Sequence, residues 1–228
     1  MYKRQGTDYA FDQLLREKGS TFEQVLSEVA HSHGLDDDGK LNQIDIQGLA
    51  LSLSIAEKIA AIPSLRELRF GELKYSDYGY TYRDESDAEI IGSLLANDKL
   101  TSLTIIGGNI DDDILKRIGN LKDLRHLQLP CEQCNSWCPE VIPMKWSGAL
   151  DSLTLLDLAA TNATSDPYDD EASLLSDVGV EHLANLGELE FLFIPGFMLS
   201  NMSIVTISGL PKLQHLHAPF SVADVPVL

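Results

Sequence analysis

The chain has 228 residues, of which 44% are apolar and 23% charged, so it is long enough to bury a substantial hydrophobic core. It carries 17 basic and 35 acidic residues, for a net charge of −18. This excess of acid argues against a nucleic-acid binder, because phosphate contacts need clustered Lys and Arg, and against an anionic membrane surface. A basic protein patch or a cation is the favoured charged partner, and no apolar run is long enough to predict membrane insertion.

The first five residues, Met1 to Gln5, resemble the translation of a transposon-type sequencing adapter. On this interpretation the gene is a metagenomic fragment, the native N-terminus is missing, and residues 1–5 take no part in the fold. The alternative is a native basic N-terminus. The three cysteines all lie between Cys131 and Cys138, too few and too close for a disulfide framework, which slightly favours a reducing, cytoplasmic compartment.

Residues 6–36 predict a helical cap. Ser20 and Glu23 have the spacing of a capping box at the start of a helix. The apolar residues that fall on one face of this helix are Phe22, Val25, Leu26 and Val29. We therefore expect one or two amphipathic helices that cover the first turn of a repeat domain at residues 37–228.

An L-x-x-L-x-L pattern, with Ile, Phe or Ala allowed, recurs along residues 37–228. Its first leucines are 24, 35, 24, 29, 36 and 24 residues apart, so the unit has 24 residues and three copies carry insertions. The copies read Leu41/Ile44/Ile46, Leu65/Leu68/Phe70, Leu100/Leu103/Ile105, Leu124/Leu127/Leu129, Leu153/Leu156/Leu158, Leu189/Leu192/Ile194 and Leu213/Leu216/Ala218. We expect a strand at each copy.

A short helix is predicted before each strand. Apolar residues recur nine, six and three positions before the first leucine, as in Leu115, Ile118 and Leu121, with lapses such as Asn97. This spacing suits a short helical segment that packs one apolar edge inward. Helix N-caps are expected twelve positions before the leucine, at Asp112, Asp177 and Asn201.

The segment at residues 177–194, DVGVEHLANLGELEFLFI, resembles the bacterial 24-residue leucine-rich repeat of the ribonuclease-inhibitor-like "T-D-x-G-L" type. The resemblance covers roughly residues 54–220. It implies an α/β fold, namely a curved right-handed solenoid of about seven repeats with a parallel sheet on its concave face. It implies protein binding only as a tendency of the family. The asparagine or cysteine expected eight residues after the first leucine is absent, which predicts looser turns.

In strands of this kind the third and fifth residues face solvent on the concave side. The first strands place polar residues at these positions. The last three strands place there Leu155, Phe191, Phe193, His215 and His217. A large aromatic cluster on a solvent-facing surface usually marks an interaction site, so we predict partner binding here. The alternative is that an insertion or the C-terminal tail folds over the cluster.

The first insertion predicts a second contact surface, because it contains Tyr75, Tyr78, Tyr80 and Tyr82. Tyrosines supply contact area at low entropic cost and are favoured in binding loops. All three insertions follow a strand, so they are expected on one edge of the solenoid. The alternative is a hairpin that packs down on that edge.

The second insertion carries Cys131, Cys134 and Cys138, and His126 lies on the strand before it. These four residues could bind zinc, but structural zinc sites usually draw on two separated ligand pairs. Ordinary thiols are therefore favoured, and no cofactor is predicted. No G-x-S-x-G, P-loop, H-E-x-x-H or Rossmann motif occurs. The sequence thus predicts a protein–protein interaction module that is not an enzyme. The alternative is a structural repeat fragment of a larger receptor-like or multidomain protein whose activity lies elsewhere.

Overall fold

A computed structural model describes residues 16, 21–49, 51–71, 86–106, 112–130, 150–158, 177–194 and 199–218. The chain divides into two compact units, Met1–Thr101 and Ser102–Leu228. The described elements of the first unit are α1 (Phe22–Val29), β1 (Ser32–Leu35), β2 (Leu41–Asp45), α2 (Leu53–Ala60), β3 (Glu67–Gly71) and α3 (Ser86–Leu94). Those of the second unit are β4 (Ser102–Ile106), α4 (Asp112–Ile118), β5 (His126–Gln128), β6 (Leu155–Asp157), α5 (Asp177–Leu183), β7 (Phe191–Phe193), α6 (Asn201–Ser208) and β8 (His215–His217).

The capping box of α1 lies one residue later than predicted. The Thr21 hydroxyl accepts a hydrogen bond from the Gln24 backbone N–H at 3.3 Å, and the Gln24 side-chain oxygen accepts from the Thr21 N–H at 2.9 Å. Threonine and glutamine offer the same capping chemistry as the predicted Ser20 and Glu23, so two overlapping boxes compete and the structure uses the second. Of the four residues predicted on the inward face of α1, Val25 and Leu26 are fully buried, whereas Phe22 and Val29 are half-buried.

The prediction that residues 6–36 form a purely helical cap is wrong for its last part. The helix ends at Val29, and Ser32–Leu35 form strand β1, which pairs antiparallel with β2. A tight turn joins the two strands, because the Asp36 carboxylate accepts from the N–H groups of Asp38 (3.0 Å) and Lys40 (2.9 Å). Gly39 adopts a positive φ of 75° in this turn, where a side chain would be strained. Strand β1 thereby covers one edge of β2.

The remaining strand of the first unit, β3, pairs parallel with β2. Gln43 lies opposite Glu67, and Asp45 lies opposite Arg69, so residues at the same distance from their first leucine face each other. Helix α2 begins after Ser52, whose hydroxyl accepts from the Ile55 N–H at 3.2 Å. Helices α2 and α3 pack against each other. This is the strand–helix alternation that the repeat predicts.

The five strands described in the second unit form consecutive parallel pairs, β4–β5–β6–β7–β8. Ser102 pairs with His126, His126 with Leu155, Leu155 with Phe191, and Phe191 with His215. The register therefore passes through both insertions in this unit without a shift. The sequence alignment of the copies is confirmed at these strands.

In the first six copies the core includes the strand positions that the pattern predicts, whereas Leu213 and Leu216 of the seventh copy are half-buried. Leu124 and Leu127 of the β5 copy are fully buried, as are Leu153 and Leu156 of the β6 copy. Each buried leucine contributes about 1.5–3 kcal/mol relative to an exposed one. Asn97, a polar residue at a position where the pattern has an apolar one, is also buried. Its amide donates to the Leu65 carbonyl at 3.5 Å and its oxygen accepts from the Lys99 N–H at 3.0 Å, so a polar residue bridges two copies there.

The predicted helix caps are displaced by one residue. Asp112, Asp177 and Asn201 are the first residues of their helices rather than the caps. For α6 the cap is Ser200, whose hydroxyl accepts from the Ser203 N–H at 3.1 Å. Serine is as good a cap as asparagine, and Asn201 can occupy the first helical turn without a cap role. Within the described part of the chain, no helix is long and apolar enough to cross a membrane.

Candidate protein-interaction surface

The strand pairing of the second unit arranges the solvent-side residues in two columns that run across the strands. Within each column, residues on neighbouring strands are about 4.8 Å apart. The third-residue column is Ser102, His126, Leu155, Phe191 and His215. The fifth-residue column is Thr104, Gln128, Asp157, Phe193 and His217. The intervening fourth residues, such as Leu156 and Leu192, are fully buried beneath them. The columns are thus the side chains that this sheet presents away from its core.

The last three strands bring together all five residues predicted for partner binding, which we call the aromatic patch: Leu155, Phe191, Phe193, His215 and His217. The rings of Phe191 and His215 stack with centroids 4.7 Å apart and planes 6° apart. Phe193 and His217 stack more loosely, at 6.3 Å and 29°. The histidines are exposed, whereas Leu155 and both phenylalanines are half-buried by their neighbours. The patch is therefore an amphipathic surface of pre-ordered rings.

Polar side chains occupy the other end of the fifth-residue column. The Thr104 hydroxyl donates to the Gln128 side-chain oxygen at 3.1 Å, and the Gln128 amide donates to the Asp157 carboxylate at 3.4 Å. We call this chain of contacts the polar ladder. Thr104 is only 7% exposed, so the prediction that the early positions are solvated is wrong here. A threonine can be buried at this position because its hydroxyl has a partner on the next strand.

The corresponding residues of the first unit are also satisfied by each other. Asp45 is 8% exposed rather than solvated, and its carboxylate accepts from the Gln47 N–H (3.0 Å) and the Gln47 amide (3.2 Å). The Arg69 guanidinium lies 3.4 Å from the same carboxylate. A carboxylate can be buried when it is paired and hydrogen-bonded in this way. Glu67 and Gln43, at the third positions, are exposed as predicted.

The first unit also contains an open cleft between α1, the β1–β2 hairpin and residues 62–66. Leu35 lines it and is 56% exposed. Its cationic side chains are already engaged, because Lys40 lies 3.5 Å from Asp38 and the Arg66 guanidinium donates to the Pro63 and Leu65 carbonyls. Because these cations already have partners within the chain, the cleft does not indicate which ligand it would bind. The aromatic patch is therefore the better candidate site.

Several predicted site residues lie outside the described residues, namely Tyr75, Tyr78, Tyr80, Tyr82, Cys131, Cys134 and Cys138. Their roles stay predictions. His126, the fourth zinc candidate, is an exposed residue of β5. Among the residues whose positions are described, no group of three or more His, Cys, Asp or Glu is arranged to hold a metal ion.

Sequence reasoning missed one surface feature. Met202 and Val205 of α6 are each 65% exposed, although both are apolar. The signal was present in the sequence, because residues 199–218 contain no Asp or Glu in an otherwise acidic chain. A helix that is apolar on both sides is normally buried on both sides.

Parallel in-register strands that alternate with short helices through most of the described residues define a mixed α/β fold of leucine-rich-repeat-like kind. No protein-family model matches the sequence, and none of the curated proteins matches it. Among solved structures, 29 chains match. One is an internalin from Listeria monocytogenes, with a TM-score of 0.37 and 14% identity over 92% of this chain and 88% of that chain. A likeness this distant does not indicate a function for this chain.

Proposed function

We propose that this chain is a bacterial-type leucine-rich repeat protein that acts as a protein-interaction module, with the aromatic patch as its main contact surface. The observation that carries the proposal is the stacking of Phe191 on His215 and of Phe193 on His217 on the solvent side of β7 and β8. The tyrosine-bearing insertion at Tyr75 to Tyr82 is proposed as a second contact, on its sequence alone.

The breadth of the patch supports a macromolecular partner. The residues lie side by side across three neighbouring strands of one sheet face, whereas sites for small molecules are pockets that enclose most of the ligand. Binding energy at protein interfaces concentrates in a few aromatic anchors that are already ordered before binding. Rings held by lateral stacking lose little side-chain entropy when a partner covers them. The patch therefore has the properties of an interface centre.

The charges around the patch indicate the kind of protein that binds. Asp157 is the single carboxylate in the two columns, and Gln128 already donates to it. The whole chain nevertheless carries a net charge of −18. Long-range attraction would therefore favour a basic partner, while the contact itself would be apolar and aromatic. We propose a net basic protein that presents an extended or helical segment with exposed apolar side chains.

The test is selection of binders from an unbiased displayed peptide library on the full chain, followed by binding to two double variants. Phe191→Ser with Phe193→Ser removes the patch, whereas Gln43→Ser with Glu67→Ser alters exposed third-position residues on the first unit. We expect the first variant to lose most selected binders and the second to keep them, with both folded by circular dichroism. Binders that tolerate loss of both phenylalanines would contradict the proposal.

A further inference from the structure

Helix α6 exposes apolar side chains on the side opposite its core contacts. Ser203 and Ile207 are buried, whereas Met202 and Val205 are each 65% exposed and lie one turn apart. We call Met202 and Val205 the α6 face. The other large apolar side chains found exposed among the described residues, Leu35 and Leu53, belong to separate elements of the first unit. The α6 face is thus a paired feature rather than an isolated exposed residue.

Comparison at matched repeat positions shows that the α6 face departs from the other helices. Val205 lies eight residues before the first leucine of its copy, and the four other described repeat helices place there Glu57, Gly92, Lys116 and Glu181. Met202 lies eleven residues before that leucine, and the matching residues are Ser54, Glu89, Asp113 and Val178. Three of the four matches are charged at the first position and three of four are polar at the second. Repeat helices of this chain therefore normally present polar groups there, as solvated helix faces do.

The same copy is unusual in charge. Residues 199–218 contain no acidic residue, although 35 of the 228 residues in the chain are acidic. Their single lysine, Lys212, pairs with Glu188 of the preceding copy. Leu213 and Leu216 are half-buried, whereas the matching Leu189 and Leu192 are fully buried. This copy therefore leaves apolar surface uncovered and has no acidic side chain of its own, although the matched position on the neighbouring helix α5 holds the exposed Glu181.

We propose that the α6 face is the contact between two copies of this chain. A basic partner attracted by the net charge of −18 would find no carboxylate on α6 itself to pair with. A second copy, which carries the same −18, is repelled least where acidic side chains are fewest, and residues 199–218 contain none. In a two-fold contact the same patch meets itself, so Met202 of one copy packs beside Val205 of the other across antiparallel helices.

Salt dependence separates this partner from the one proposed for the aromatic patch. The two copies repel each other over long range, and salt screens that repulsion, since the screening length falls from about 10 Å at 0.1 M to about 3 Å at 1 M. Self-association through an uncharged face should therefore strengthen with added salt. Binding of a basic partner should weaken with added salt.

The experiment is sedimentation velocity on the full chain over a range of concentrations at low and high NaCl. We expect a monomer–dimer equilibrium that shifts toward the dimer at high salt. Met202→Ser with Val205→Ser should raise the dimer Kd about tenfold or more, since two central apolar contacts are lost. Asp113→Ser with Lys116→Ser changes the matched positions of α4 and leaves the net charge the same, so it should leave the Kd unchanged.

Three outcomes would overturn the inference. The first is a chain that stays monomeric at high concentration and high salt, which would also be the result if residues 219–228 cover the face. The second is a dimer that the Met202 and Val205 substitutions leave intact. The third is a dimer that added salt dissociates. The Phe191→Ser, Phe193→Ser variant should dimerise normally, so failure of this inference and failure of the proposed function are distinguishable.

Discussion

At the fifth strand position, Asp45 and Arg69 of the first unit form an ion pair 3.4 Å apart, whereas Phe193 and His217 of the second unit form a ring stack. The backbone pairing is the same in both places, parallel and in the same register. Only the side chains differ. The Asp45 carboxylate is bonded by Gln47 and paired with Arg69, so it offers little to a partner, although the Arg69 side chain is 48% exposed.

The aromatic pair differs because stacking uses one face of each ring and leaves apolar area and an exposed imidazole. A position in the repeat therefore does not by itself define a binding surface. What matters is whether the side chains at that position already use their hydrogen-bonding groups and charges on each other. The side chains of the polar ladder, from Thr104 to Asp157, likewise hydrogen-bond to each other within the second unit, on the strands that precede the stacks.

The largest effect on stability should come from replacing a core leucine of strand β6 rather than the patch leucine next to it. Leu156 is fully buried and Leu155 beside it is half-buried on the aromatic patch. We expect Leu156→Ala to lower the free energy of unfolding by about 2–5 kcal/mol, because it removes buried contacts and leaves a cavity. Leu155→Ala should cost about 1 kcal/mol or less. Urea denaturation followed by circular dichroism measures both. Equal costs would mean that the patch is part of the core rather than a surface.

Most of the strand positions and of the core were predictable because they depend on a local signal. Burial of the first, fourth and sixth residues in six of the seven copies produces the leucine pattern, and Leu103, Leu127 and Leu156 obey it. Strand β1 was not predictable in this way. Its residues are mostly exposed and carry no apolar alternation, so its structure depends on pairing with β2.

The features of the candidate site also divide into those that a local sequence signal predicts and those that depend on a partner elsewhere in the chain. The aromatic patch was predictable because repeat offsets alone place Phe191 beside His215. The burial of Asp45 was not, because it depends on a partner, Arg69, in the next copy. The exposure of Met202 and Val205 was missed because the repeat pattern describes only the inward side of each helix.

A smaller effect should come from breaking the polar pair of the first unit. Asp45→Ala removes the acceptor of the Gln47 N–H and leaves Arg69 without its carboxylate. We expect a loss of about 1–3 kcal/mol, the usual range when a partly buried donor loses its partner. Glu67→Ala, on an exposed residue of the neighbouring strand, should change stability by less than about 0.5 kcal/mol. If the two variants unfold at the same urea concentration, the Asp45 contacts contribute nothing net to stability.

The smallest expected effect tests the stacks themselves. A double-mutant cycle of Phe191→Ala and His215→Ala should give a coupling energy of about 0.5–1.5 kcal/mol, because aromatic rings that stack gain energy beyond the area they bury. The parallel cycle of Phe193→Ala and His217→Ala should give less, since those rings are 6.3 Å apart and tilted by 29°. Urea denaturation curves at one fixed pH supply the free energies of the seven proteins in the two cycles. A second coupling as large as the first would show that proximity on adjacent strands, rather than ring geometry, orders the patch. Its side chains would then adjust to a partner instead of presenting a preformed surface.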